Sequence, residues 1–209
     1  MSTAFLAEHW QAAFRNLKLA APPHDVFTNL LGRYGEPHRA YHTVQHLQEC
    51  FTAFENASGR AQSPGAVALA LFYHDAIYDT HARDNEEKSA ELARQVLAGA
   101  GAGESIHSYV TDLILVTRHA AMPESDDQML LVDIDLSILG ATQERFDEYE
   151  RQVRQEYSWV DDAIFRSVRS KILLEFLARP TIYSTTTFRN RLEHPARENL
   201  KRSIAALTA

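Results

Sequence analysis

The stretch between residues 63 and 79 constrains the fold more than any other part of the chain. Ser63-Pro64 is a common start of a helix, an N-cap residue followed by proline at the first helical position. Apolar residues then repeat at helical spacing, so the predicted helix is packed on several sides. It ends in the adjacent pair His74 and Asp75. A buried carboxylate is costly unless it is paired, hydrogen-bonded or bound to a metal, although the pair alone is more typical of an ordinary polar helix end.

Helical patterns also fill the rest of the chain, and no segment shows the alternation of a strand. This pattern predicts an all-α protein. Its 209 residues fit a single domain, 1–209, with a core of about 25–180 and the C-terminal helix packed on it. Besides the central helix, the predicted helices cover about 5–17, 25–34, 44–54, 84–98, 106–119, 125–140, 142–157, 159–177 and 188–207.

Sequence signals also predict where several helices begin. Asp84 with Glu87, and Ser125 with Gln128, have the spacing of capping boxes. Single N-caps are predicted at Thr43, Thr142 and Ser158.

Composition narrows the classes of protein and partner. A single cysteine permits no intrachain disulfide, which favours a reducing compartment. The first eleven residues lack the features of a signal peptide, and no stretch is apolar enough to cross a bilayer, so we expect a cytoplasmic protein without a membrane partner. The formal net charge of −7 argues against a nucleic acid polymer as partner. Basic residues become more frequent from Arg145 onward, which suits either an anionic substrate or an ordinary solvated surface.

Imidazole and carboxylate groups recur on separate predicted helices. They are His46, the pair His74 and Asp75, and an aspartate at 133 or 135. Such ligands suit Zn²⁺, Mn²⁺, Fe²⁺ or Mg²⁺, and four of them leave octahedral positions for water or substrate. The ordered set is more specific than any one member. The alternative is a group of unrelated capping and core polar residues.

This ordered set resembles the HD superfamily of metal-dependent phosphohydrolases, in particular a bacterial branch of predicted HD phosphohydrolases. The superfamily pattern is His, then His-Asp, then Asp, on an all-helical fold, so the resemblance implies an HD-domain helical bundle. It covers roughly residues 25 to 202. The segments that carry it are Tyr41-His42-x-x-x-His46, Tyr73-His74-Asp75-x-Ile77-Tyr78, Asn85-Glu86-Glu87-x-Ser89-Ala90 and Asp133-Ile134-Asp135-Leu136-Ser137-Ile138-Leu139-Gly140.

The resemblance implies a role for each matching residue. The metal ligands would be His46, His74, Asp75 and Asp135. Asp133 would support these ligands without binding the metal itself, or would be the ligand in place of Asp135. By likeness to the related cyclic-nucleotide phosphodiesterases, His42 would be the general acid that protonates the leaving oxygen, with helix-start hydrogen bonding as its alternative role. His42 and Asp75 are therefore the expected catalytic pair.

The implied reaction is cleavage of a phosphate ester of a small molecule, with a nucleotide as one option, by metal-activated water. The divalent ion, whether Zn, Mn, Mg or Fe, would lower the pKa of water from about 15.7 towards 7 and polarise a phosphoryl oxygen. Both a phosphomonoesterase and a phosphodiesterase fit this expectation.

Three further residues are expected to orient the metal ligands or to bind a second metal: Asp79, Glu86 and His119. Each has an ordinary alternative. Asp79 would be a turn residue, Glu86 a carboxylate in the first turn of a helix, and His119 a complement to a helix C-terminus. Some relatives carry His where this chain has Glu86, and that difference puts a two-metal site in doubt.

Four residues are candidates for substrate binding: Arg118, Tyr149, Arg154 and Tyr157. Arginine matches phosphate geometry well, and three of these residues recur at helical spacing near the start of the basic region. Ion pairs on an exposed helix and an aromatic core stripe explain the same residues.

Two other functions compete with the phosphohydrolase. Some HD folds hold paired iron and perform oxygenation, and others could serve as non-catalytic nucleotide-binding modules. The expected partner is a small phosphorylated substrate, and assembly into a homodimer is left open.

Overall fold

The computed structural model describes residues 3 to 209, which are all-helical and contain no strand, so the all-α prediction is confirmed. Met1 and Ser2 lie outside the described residues. The α-helices of the described part are α1 (Thr3–Asn16), α2 (His24–Arg33), α3 (Val44–Glu55), α4 (Pro64–Tyr73), α5 (Asn85–Gly99), α6 (Glu104–Leu115), α7 (Asp126–Asp135), α8 (Gln143–Glu156), α9 (Asp162–Ala178) and α10 (Thr186–Thr208).

The chain divides into two compact units, Met1–Ile134 and Asp135–Ala209. The division falls within α7, one residue before that helix ends. Whether the two units form a single domain, as the sequence predicts, stays a prediction.

Helix α4 is the centre of the first unit. Every residue from Gly65 to Tyr73 is buried, and α1, α3, α5 and α6 pack around the helix. A side chain at Gly65 would have no room, since an added Cβ would lie 2.6 Å from the carbonyl oxygen of Ala13. The helix is therefore held on several sides, as its apolar sequence predicts.

The start of α4 is held by a residue that is distant in sequence. Ser63 occupies the N-cap position, but its hydroxyl makes no capping hydrogen bond. Instead, the carboxylate of Asp127 accepts hydrogen bonds from the backbone N–H groups of Gln62 (2.7 Å) and Ser63 (2.9 Å) and from the hydroxyl of Tyr109 (2.8 Å). Asp127 is fully buried, so this one carboxylate joins α4, α6 and α7.

Most of the other predicted helix starts are confirmed. The hydroxyl of Thr43 accepts from Gln45 N at 3.3 Å, and that of Thr142 caps α8. Ser125 and Gln128 form the reciprocal pair of a capping box, with bonds of 3.2 and 3.3 Å.

Two predicted starts are wrong in detail. Asp84 stands at the N-cap of α5 but makes no capping bond, because its carboxylate pairs with Lys88 at 2.8 Å. Ser158 does not begin a helix. Asp161 caps α9 instead, accepting from Ala163 N at 3.0 Å, so the helix starts three residues later than predicted.

The second unit is organised around α10, which packs against α9 and a short 3₁₀ helix, Leu136–Gly140. Asn199 donates to the carbonyl oxygens of Leu139 (2.9 Å) and Ala141 (3.0 Å). These bonds tie the C-terminal helix to the segment that directly follows α7.

Across residues 3 to 209, no helix combines the length and apolar character needed to cross a membrane.

Candidate metal centre

Helices α3 and α4 bring three of the sequence-predicted residues together. His46 lies in the first turns of α3, His74 caps the C-terminus of α4, and Asp75 follows it. We call these three residues the histidine–aspartate cluster. The two Nε2 atoms lie 3.1 Å apart, and Asp75 Oδ2 lies 3.4 Å from that of His46 and 3.0 Å from that of His74.

The cluster is buried on one side and open on the other. The side chains of His46 and His74 are 2% and 1% exposed, whereas that of Asp75 is 20% exposed. The imidazoles are therefore shielded from solvent, whereas the carboxylate keeps partial contact with it.

The backbone fixes which nitrogen of His74 faces the cluster as a ligand atom. Its Nδ1 lies 2.9 Å from the carbonyl oxygen of Leu71. Because a carbonyl oxygen only accepts hydrogen bonds, Nδ1 carries the proton, and in a neutral ring Nε2 keeps its lone pair. A histidine held in this way is prepared for metal binding.

The distances within the cluster fit a shared metal ion. Ligand atoms about 2.1 Å from one centre lie about 3.0 Å apart at octahedral angles and about 3.4 Å apart at tetrahedral angles. The three distances, 3.0, 3.1 and 3.4 Å, fall within these limits. Without an ion, His74 must carry a proton on Nε2 as well as on Nδ1 to donate to the Asp75 carboxylate, and its ring is then an imidazolium. A divalent ion would take the place of that second proton.

Electrostatics favour the ionised carboxylate. Burial on its own would raise the pKa of Asp75, but the neighbouring His74 and His42, with hydrogen bonds from His46 and His74, hold that pKa well below its usual value. Asp75 is therefore an anion under ordinary conditions, as a metal ligand must be.

Arg39 braces the loops on both sides of the cluster, a role that the sequence analysis missed. Its fully buried guanidinium donates from Nη1 to the carbonyl oxygens of Asp75 (2.7 Å) and His42 (3.1 Å), and from Nη2 to that of Ala76 (3.2 Å). One side chain therefore fixes the backbone of both predicted catalytic residues. Local sequence gives no signal for contacts across more than thirty residues.

His42 lies beside the cluster, in the turn before α3. Its ring stacks on that of Tyr78 at 4.1 Å between centroids and lies 5.9 Å from the ring of His46. The stacking holds the imidazole at the partly exposed side, close enough to Asp75 to influence its pKa.

Cys50 is a candidate ligand that the sequence analysis did not identify. It lies one helical turn after His46 on α3 and is 1% exposed. The ligand atoms of His46, Cys50 and His74 lie within 4.8 Å of one another. The i, i+4 spacing of His46 and Cys50 was the available signal, since residues so spaced share one face of a helix.

The two aspartates of α7 differ in position. Asp133 is fully buried in the helix, whereas Asp135 is its last residue and is partly exposed. The expectation that Asp135 is the metal ligand stays a prediction.

The residues expected near a second ion have other contacts. Asp79 is exposed, and its Oδ1 accepts from His81 N at 2.9 Å, the contact of a turn residue. Arg118, a candidate for substrate binding, lies 3.6 Å from Glu86, a candidate for binding a second metal, and also pairs with Glu87. These two candidates therefore form an ion pair with each other.

His119 has a left-handed backbone, with φ of 56°, directly after the 3₁₀ turn that ends α6. That conformation is uncommon for a residue with a side chain and often occurs at functional sites. Its role near a metal stays a prediction.

The remaining substrate candidates lie in the second unit. Arg154 donates to the carbonyl oxygens of Tyr157 (2.6 Å) and Val160 (3.0 Å) and contacts Asp162, so its guanidinium braces the loop between α8 and α9. These contacts leave its predicted phosphate-binding role without structural support. The ring of Tyr157 is partly exposed at the C-cap of α8.

Tyr149 is buried, and its hydroxyl accepts from Arg169 at 2.7 Å. Burial raises the pKa of Tyr149, an effect that Arg169 opposes and that Glu150 and Asp135 reinforce. The phenol therefore stays neutral between a buried cation and two carboxylates. Asp135 is one of these two carboxylates, and its negative charge helps to raise the pKa of Tyr149.

The chain matches no protein-family model, no curated protein and no solved structure.

Proposed function

We propose that this protein is a metal-dependent phosphohydrolase acting on a phosphate ester of a small molecule. The observation that carries the proposal is the convergence of His46 Nε2, His74 Nε2 and Asp75 Oδ2 at 3.0–3.4 Å from one another. Such spacing suits one shared divalent ion.

In this proposal the ion is held by His46, His74 and Asp75, and by Asp135 as the second carboxylate that the sequence pattern implies. A bound divalent ion supplies a Lewis acid that acidifies water and polarises a phosphoryl oxygen. Two carboxylates and two imidazoles balance the charge of such an ion and leave room for water and substrate.

His42 is proposed to protonate the leaving oxygen. Its position at the partly exposed side of the cluster, stacked on Tyr78, supports this role because a general acid must reach the substrate from solvent. Arg39 keeps His42 and Asp75 in a fixed relation through their carbonyl oxygens and is a positioning residue.

A single ion fits better than a pair. Glu86, the carboxylate considered for a second ion, is paired with Arg118. An ion pair there competes with metal binding by the same oxygen atoms. This arrangement favours hydrolysis over chemistry that needs two irons.

The proposal is tested by hydrolysis of p-nitrophenyl phosphate and bis(p-nitrophenyl) phosphate, a monoester and a diester, after loading the protein with Zn²⁺, Mn²⁺ or Mg²⁺. We expect turnover of at least one ester, a loss of about 100-fold or more in Asp75→Asn, and a loss of about 10²-fold in His42→Gln.

Asp25→Asn is the matched control, because Asp25 is an exposed carboxylate on α2 and should leave turnover unchanged. Absence of turnover with every ion, or undiminished turnover in Asp75→Asn, would contradict the proposal.

A further inference from the structure

Cys50 lies beside the two histidines of the histidine–aspartate cluster. Its Sγ is 3.7 Å from Nε2 and 3.8 Å from Nδ1 of His46, and the side chain is buried. Sγ also belongs to the group of ligand atoms, with His46 and His74, that lie within 4.8 Å of one another.

The ordinary role of a buried cysteine is that of a small apolar side chain. Here its sulfur faces imidazole nitrogen rather than only hydrocarbon. A thiolate and an imidazole bound tetrahedrally to one ion, at about 2.3 and 2.1 Å, have S and N about 3.6 Å apart. The observed 3.7 Å from Nε2 matches this value, but the 3.8 Å from Nδ1 shows that the sulfur lies beside the ring. Rotation of the Cys50 side chain is therefore needed to bring the sulfur in front of Nε2.

Helix α3 also presents the two groups correctly. Residues four apart in a helix lie one above the other on the same face, so His46 and Cys50 face the same side of α3. His74 reaches this place from the end of α4, a separate helix. Three potential ligands from two helices thus surround one point.

We infer that the Cys50 thiolate is a ligand of the metal centre and makes it select zinc or iron over magnesium and manganese. Soft sulfur ligands favour Zn²⁺ and iron, whereas Mg²⁺ and Mn²⁺ prefer an all-oxygen environment. On binding, the sulfur–metal bond replaces the S–H bond and the proton passes to water. This inference rests on the proposed metal centre and adds the identity of its ion.

Cobalt(II) gives a direct test, because a thiolate bound to cobalt adds a charge-transfer absorption band in the near ultraviolet. The chain has only one cysteine, so such a band can arise only from Cys50. We expect the band in the wild-type protein loaded with cobalt(II) and its loss in Cys50→Ser, with the visible cobalt bands retained. Titration should show about tenfold or greater weakening of Zn²⁺ binding in that variant, with a much smaller change for Mn²⁺.

The outcomes separate this inference from the proposed function. Cobalt bound without the near-ultraviolet band overturns the role of Cys50 and leaves the metal centre intact. Failure of the wild-type protein to bind cobalt, zinc or manganese overturns both. The wild-type spectrum decides the matter even if Cys50→Ser does not fold, which circular dichroism would reveal.

Discussion

Replacement of Asp127 by alanine should destabilise the first unit strongly. The fully buried carboxylate accepts hydrogen bonds from two backbone N–H groups and the Tyr109 hydroxyl, at 2.7–2.9 Å. Hydrogen bonds to a charged group contribute about 1.5–3 kcal/mol each, and unsatisfied donors cost about 1–3 kcal/mol each. The two N–H groups belong to partly exposed residues that water can reach, and removing a buried charge recovers part of its desolvation cost. We therefore expect a net loss of about 2–4 kcal/mol.

Urea unfolding followed by circular dichroism would measure this loss as a lower midpoint with an unchanged slope. Asp127→Asn should lose somewhat less stability than Asp127→Ala, because the amide keeps one acceptor oxygen. It should still be less stable than the wild type, because the amide nitrogen then faces an N–H group. Asp126→Ala is the matched control. Asp126 is the neighbouring exposed residue, with one hydrogen bond to the side chain of Gln62, and its replacement should cost less than about 1 kcal/mol.

Asp127 would have no special role in stability if Asp127→Ala cost no more than Asp126→Ala. Water or the Ser63 hydroxyl would then satisfy the start of α4 as well as the carboxylate does. The long-range cap would have no energetic importance.

Three further results are expected. Burial, followed by the hydrogen bond to Asp127, raises the pKa of Tyr109 to about 12. The neutral Tyr109 hydroxyl therefore stabilises the fold fully below its ordinary pKa near 10, and this stabilisation is lost as the pH rises through 12. Ultraviolet titration should show a lower tyrosine pKa in Asp127→Asn than in the wild type, and identical curves would argue against the hydrogen bond. Gly65→Ala should lower the free energy of unfolding in urea by about 1–3 kcal/mol, because its Cβ has no room. Gly99→Ala is the control and should not lower it, because its Cβ meets open space. Equal effects would show that the contact of Gly65 with Ala13 relaxes easily. Arg39→Lys should weaken zinc binding about tenfold, because a single ammonium group cannot reach all three carbonyl oxygens. Competition with a chromogenic chelator would measure the zinc affinity. An unchanged affinity would make Arg39 a purely structural residue.

Local patterns were sufficient to predict the all-helical fold. Apolar periodicity located every α-helix of the described part to within a few residues, and Thr43, Ser125 and Thr142 cap where their sequence context indicates. Helix α9 does not begin after Ser158 because Asp161, three residues on, offers a better acceptor to its first N–H groups.

The histidine–aspartate cluster was also partly predictable from local sequence. His46 and the pair His74-Asp75 were recognisable by residue type and order, and the structure brings them together. Cys50 was visible only as helical spacing from His46, because a single cysteine is usually apolar filling. Arg39 and Asp127 gave no local signal, since the hydrogen bonds by which they join separate segments reach backbone groups more than thirty residues away.

The most direct test of the metal centre is elemental mass spectrometry of protein purified without chelators or a histidine tag, beside the His74→Ala variant. We expect about one divalent ion per chain in the wild type, zinc or iron in preference to magnesium, and its loss in the variant. Wild-type protein that holds no ion, even after incubation with zinc, iron, manganese or magnesium, would contradict the central claim.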